Sequence, residues 1–192
     1  MTQLMVKSGF LTFGDQRFHC ATGKGGFSTA KREGDGCTPI GIYFLRECWY
    51  RLDRLPPPKT GLPLKVIREN DGWCDDPVSK DYNKPIKIIS CHPRLVRGSQ
   101  ATCCAALDPR LRGDDKVGYS HERLWHDDHV YDLIVPLGYN DDPVVAGRGS
   151  AIFMHVAQDD YSPTEGCVAL AFNDLLAILP HLTAQSRIEI RQ

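Results

Sequence analysis

The sequence predicts a mainly β fold, a β-sandwich or partly closed barrel with one or two short helices. Three observations point there. Short runs rich in β-branched and aromatic residues recur along the chain, separated by Gly, Pro and Asp clusters. One segment alone has a convincing helical pattern, residues 173–179, and it comes late. The 192 residues suit a single domain with a sizeable core, so the strands need not be shared between two domains.

Residues 4–13 and 17–22 read as the first strands. Gly34-Asp35-Gly36 is a turn, and residues 41–51 read as one further strand. Residues 55–61, with Pro56, Pro57 and Pro58, form a rigid connector to a strand at 64–68. Asp75-Asp76-Pro77 is another turn. Residues 130–137 and 150–154 give the strongest strand signals, and the second run ends on His155. Residues 157–163 are polar, contain Pro163 and read as a loop. Asn173 is the expected helix N-cap, Leu175, Leu176, Ile178 and Leu179 the apolar face, and Pro180 the stop. Residues 187–190 read as a closing strand.

Residues 91–116 break this rhythm. Pro93-Arg94-Leu95-Val96-Arg97-Gly98 is echoed by Pro109-Arg110-Leu111-Arg112-Gly113, with a small, Cys-containing stretch between them. The segment looks like a translated palindromic repeat inserted as a surface loop, which costs a domain little. A substrate lid or basic binding loop is the alternative. In either case residues 1–192 read as one domain.

Composition excludes several classes. The chain is 42% hydrophobic and 24% charged, as soluble globular proteins are. A net charge of −1 gives no electrostatic case for nucleic acid or an anionic membrane surface. No apolar run approaches the ~18–20 residues needed to span a bilayer. The N-terminus lacks the ~7–15-residue apolar region of a secretory signal, so the chain as given would stay in the cytoplasm. Of the eight cysteines, none forms a Cys-x-x-Cys pair, so no structural zinc site is expected and free thiols are favoured. His121, His126 and His129 with Asp127 and Asp128 fit no usual zinc spacing and read as a polar turn. The sequence carries no signal for an oligomeric state.

Chemistry concentrates in two neighbouring segments, Ser150-Ala151-Ile152-Phe153-Met154-His155 and Thr164-Glu165-Gly166-Cys167. A short loop can fold His155 back over Cys167, giving a thiol nucleophile its base. Gly166 permits a tight turn, and the N–H groups of Gly166 and Cys167 could face a developing oxyanion. The carbonyl of Val156, or Asp159 or Asp160, could orient the imidazole. The alternative is a buried structural Cys and a core His. Arg148 could bind a substrate carboxylate or be an ordinary surface residue. Trp73, Trp125 and Tyr139 could line a groove or belong to the core. Residues 31–35 read as a solvated charged turn.

Residues 149–155 and 164–168 together resemble the catalytic motif of the YkuD-type L,D-transpeptidases: a His, a spacer, then [Ser/Thr]-His-Gly-Cys. Upstream, Thr38-Pro39-Ile40-Gly41-Ile42-Tyr43 resembles the family's Thr-Pro-x-Gly-x-aromatic strand. Gly72-Trp73-Cys74-Asp75-Asp76-Pro77, Tyr82-Asn83, Leu124-Trp125, Tyr131-Asp132-Leu133 and Gly138-Tyr139-Asn140-Asp141 look like a small divergent branch of it. The resemblance implies a YkuD-like fold and peptidoglycan stem peptides as substrate. Cys167 would be the nucleophile and His155 the base, with Gly166 beside them, and the resemblance implies no metal or cofactor. Arg148, Glu165, Tyr139 and Trp73 are the candidate substrate contacts. Passing the acyl group to an amine would give a cross-link, and passing it to water would give an L,D-carboxypeptidase acting on stem tetrapeptides or recycled muropeptides. A non-catalytic wall-binding module is the remaining alternative. The family implies a periplasmic or cell-envelope location. Glu165 stands where the family usually has a second His, and its charge opposes thiolate formation. Ala169 stands where Asn or Arg often follows.

Overall fold

A computed structural model describes residues 3–88 and 120–192. The expected insertion, residues 91–116, lies outside the described residues, and Cys91, Cys103 and Cys104 lie there with it. Among the described residues the fold is mainly β, a sheet curled into a half-barrel with one short α-helix.

The chain opens with β1 (Gln3–Lys7), β2 (Phe10–Phe13) and β3 (Gln16–Ala21), an antiparallel meander. The expected first strand is thus a hairpin, because Ser8 and Gly9 turn the chain with positive φ values of 52° and 76°. The short strands β4 (Phe27–Ser28) and β5 (Thr38–Pro39) pair in parallel. Next come β6 (Gly41–Phe44), β7 (Cys48–Tyr50), β8 (Leu64–Val66), β9 (Asp71–Cys74), β10 (Pro85–Lys87) and β11 (His121–Arg123). The chain continues through β12 (Leu133–Pro136), β13 (Phe153–Val156), β14 (Val168–Leu170), α1 (Phe172–Ile178) and β15 (Arg187–Ile190).

The main sheet runs β6-β15-β1-β2-β3-β14-β13-β12-β7-β8. Residues 45–47 alone join β6 at one end to β7 near the other, and Leu45 bridges Leu137 just beyond β12. That corner curls the sheet. It also divides the run expected as one strand at 41–51: its first half pairs with β15, its second with β12 and β8.

Among the described residues two cores pack against the central strands. Leu133, Val135, Met154 and Val156 face the main core, which also holds Leu175, Ile178 and Leu179 of the helical segment. Ile134 and Phe153 face a second core with Trp49, Ile67, Leu124, Tyr131 and Cys167. Burial on both faces explains why these strands are continuously apolar and do not alternate. The small sheet β10-β9-β11 lies beside this second core, and Trp73 on β9 meets Phe153 edge-on with ring centres 5.1 Å apart.

The helix differs from expectation at both ends. Ala171 is its N-cap, without a side-chain cap bond, and Asn173 lies inside the first turn. β14 runs into the helix with one residue between them, which leaves no loop in which Asn173 could cap. The α-helix ends at Ile178 and passes into a 3-10 turn at Leu179–His181, in which Pro180 is second and its missing N–H is tolerated. Among the described residues no helix is long and apolar enough to cross a membrane.

Candidate active site

The two chemical segments meet because β13 and β14 are parallel neighbours, with His155 opposite Ala169. Side chains alternate along a strand, so Cys167 projects to the same face as Ala169 and therefore beside His155. Both are buried, Cys167 at 8% exposure and His155 at 5%. Both line one cavity of about 400 Å³, shared with Lys31, Glu33, Glu122 and Tyr131. His155 lies within β13 and not at its end, so paired backbone on both sides fixes its ring.

The Cys167 Sγ is held by two backbone groups. It accepts the Phe153 N–H and donates to the Ala151 carbonyl, each at 3.3 Å. His155 Nδ1 lies 2.8 Å from the Val156 carbonyl. A carbonyl only accepts, so Nδ1 carries the proton and Nε2 keeps its lone pair as a base. Val156 thus orients the imidazole. Asp160 instead accepts from Ser162, and Asp159 lines a different cavity.

Burial sets the resting protonation. It pushes the Cys167 thiol up to about 12, partly offset by the Phe153 N–H and by Lys31. It pushes His155 down to about 4, against the pull of the Val156 and Val130 carbonyls. The pair therefore rests as neutral thiol and neutral imidazole.

The chain matches the L,D-transpeptidase catalytic domain, YkuD, from residue 7 to residue 190. It belongs to the YkuD family. Neither a curated protein nor a solved structure matches it.

Gly166 of this YkuD domain has φ +132°, and a Cβ there would lie 2.7 Å from the Cys37 carbonyl oxygen. Its N–H does not face the cavity as the sequence suggested; it donates to Thr164 Oγ1 at 3.1 Å, and that hydroxyl donates to the Cys167 carbonyl. Gly166 therefore acts by close backbone approach. Ala151 holds a left-handed φ of 51°, a strained conformation for a residue with a Cβ, and it aims its carbonyl at the Cys167 sulfur.

Asn83 holds that strain in place. Its Oδ1 accepts from the Ala151 N–H and from Trp73 Nε1, and its Nδ2 donates to the carbonyls of Tyr139 and Asn140. One buried amide thus ties the small sheet to the strand that carries His155. Glu33 makes a second tie, accepting from the Tyr82 hydroxyl and, at 2.8 Å, from Ser150 Oγ.

The other expected contacts fall in three places. Glu165 reaches the cavity rim, mostly exposed, and pairs with Lys24 at 2.6 Å. Arg148, Tyr139 and Trp73 are not among the residues lining the cavity. Arg148 is exposed, and its carbonyl accepts from the Tyr139 hydroxyl. Tyr139 packs edge-on against Tyr43, and Trp73 belongs to the second core. Trp125 lies under the Arg51 guanidinium. His126 and His129 bind the Arg123 carbonyl and the Asp132 carboxylate, and no metal-binding group of three occurs among the described residues. Cys20, Cys37, Cys48, Cys74 and Cys167 are free thiols.

Sequence reasoning missed Lys31, Glu33 and Asn83. The first two sit in a charged run that looks solvated, yet Lys31 is buried and lines the cavity. The signal for Lys31 was the pair of glycines, Gly149 and Gly166, whose missing side chains leave room for it.

Proposed function

We propose that this YkuD domain is a cysteine-dependent L,D-transpeptidase acting on peptidoglycan stem peptides through an acyl-enzyme on Cys167. The observation that carries the reading is the shared cavity: a buried thiol and a buried imidazole, its Nδ1 held by the Val156 carbonyl, line it together. In this reading the stem peptide's scissile carbonyl enters next to Cys167. Nε2 of His155 takes the thiol proton as Sγ attacks, because neither group is charged at rest. The tetrahedral intermediate collapses, His155 returns the proton to the departing amine, and the terminal amino acid leaves. A second amine then loses its proton to His155, attacks the thioester and restores the thiol.

Incubation with disaccharide-tetrapeptide, followed by mass spectrometry, tests this. Cross-linked dimers that disappear in Cys167→Ala support it. Tripeptide without dimers makes water the acceptor and the enzyme a carboxypeptidase. Full activity in Cys167→Ala refutes the acyl-enzyme.

A further inference from the structure

The Lys31 side chain runs through a slot cut between the two chemical segments. A Cβ on Gly149 would lie 2.8 Å from Lys31 Cε, and one on Gly166 would lie 3.3 Å from its Nζ. Both glycines hold positive φ, +99° and +132°, so each segment reserves a conformation that admits no side chain there. The side chain is only 3% exposed, and its ammonium binds Asp35 Oδ1 at 2.8 Å. Asp35 is itself pinned by the N–H groups of Arg32 and Cys37. The ammonium is therefore buried, oriented and set against the residue just before Cys167.

Charge makes this placement consequential. Among the described residues the cavity lining carries four carboxylates, Glu33, Asp75, Glu122 and Glu165, together with Tyr131 and His155. Among the described lining residues Lys31 is the one Lys or Arg, and Ala169 adds no charge. The carboxylates disfavour any negative charge on the sulfur. A fixed cation beside the nucleophile opposes them at no reorganisation cost during reaction.

We propose that Lys31, held by Asp35 in the Gly149–Gly166 slot, is a positioning residue that stabilises negative charge on Cys167 as the thiolate forms. The proposal rests on Cys167 being the nucleophile, but its first test does not need the substrate. Iodoacetamide is neutral and reacts with thiolate, so its rate at Cys167, read by mass spectrometry of that peptide, follows the thiolate fraction. A nearby opposite charge shifts an ionisation by ~1–3 units, and the Asp35 partner places Lys31 at the low end. Lys31→Met therefore slows alkylation at pH 8 about tenfold. Lys31→Arg recovers part of the loss. Asp35→Asn removes a carboxylate and speeds alkylation. That opposite sign separates an electrostatic role from mere damage to the fold, which would move both variants the same way.

With stem peptide as substrate, Lys31→Met lowers kcat and leaves KM nearly unchanged. Unchanged alkylation in Lys31→Met overturns the proposal. So does unchanged alkylation with a raised KM, which would make Lys31 a carboxylate anchor. If alkylation shifts as stated and no stem peptide is turned over, the proposed function fails and the role of Lys31 stands.

Discussion

Asn83 offers a sharp perturbation, because one side chain makes four hydrogen bonds across the junction of the two sheets. Asn83→Ala leaves the Trp73 Nε1–H and the Ala151 N–H without an acceptor, and the Tyr139 and Asn140 carbonyls without a donor. An unsatisfied buried polar group costs ~1–3 kcal/mol, and partial access to water at this junction favours the low end, giving about 2–4 kcal/mol for the two donors. Asn83 also has φ 56°, where Asn is tolerated better than Ala, adding about 1 kcal/mol. The sum is about 3–5 kcal/mol, or a fall in Tm of about 10 °C for a chain of this length. Thermal unfolding followed by circular dichroism reads it. Asn83→Gly separates the two contributions: it loses the same hydrogen bonds but accepts the left-handed backbone, so it falls about 1 kcal/mol less. Activity falls with stability, since the Ala151 carbonyl that holds the Cys167 sulfur is released. A Tm loss below about 3 °C in Asn83→Ala would refute the hydrogen-bond argument, and a Gly variant less stable than the Ala variant would refute the backbone argument.

Gly166→Ala forces a Cβ to 2.7 Å from the Cys37 carbonyl oxygen at φ +132°; it is expected to lose activity at least a hundredfold, as judged by stem-peptide turnover, because the Cys167 backbone must shift. His155, held at about 4, stays a neutral base until the pH falls near that value, so the acid limb of kcat/KM is expected near pH 4 and not near 6.5. The same depressed ionisation stabilises the fold fully above pH 6.5 and is lost as the pH falls through about 4, a linkage of about 3 kcal/mol. Denaturant unfolding of His155→Gln across that window is expected to lack this slope. Lys24→Ala breaks an exposed pair with Glu165 and is expected to leave Tm within about 2 °C by calorimetry, since such pairs contribute little.

Much of this was legible in the sequence, and for identifiable reasons. The strands of the main sheet announce themselves through β-branched runs, and β12 and β13 are apolar throughout because both of their faces are covered. His155 and Cys167 lie close in sequence, and parallel pairing of β13 and β14 keeps them close in space. The Val156 carbonyl follows from local geometry at His155. What stayed hidden depends on distant contacts. The small sheet is built from three- and four-residue strands whose polar composition reads as turn. The split between β6 and β7 comes from sheet curvature, which no local window records. Lys31 looks solvated among Arg32, Glu33 and Asp35, and only the glycines of two remote segments reveal its slot. Arg148, Tyr139 and Trp73 carry suitable chemistry for a binding site, but their partners draw them elsewhere: the Tyr139 hydroxyl to the Arg148 carbonyl, and the Trp73 indole to Asn83 and Phe153.

The central claim is that Cys167 carries the acyl group. Acid quenching during turnover of disaccharide-tetrapeptide, followed by intact-mass and peptide mass spectrometry, tests it most directly. The account predicts a covalent adduct with the mass of the disaccharide-tripeptide acyl group on the Cys167 peptide, lost in Cys167→Ala together with all products. An adduct on another cysteine, or undiminished turnover by Cys167→Ala, would contradict it.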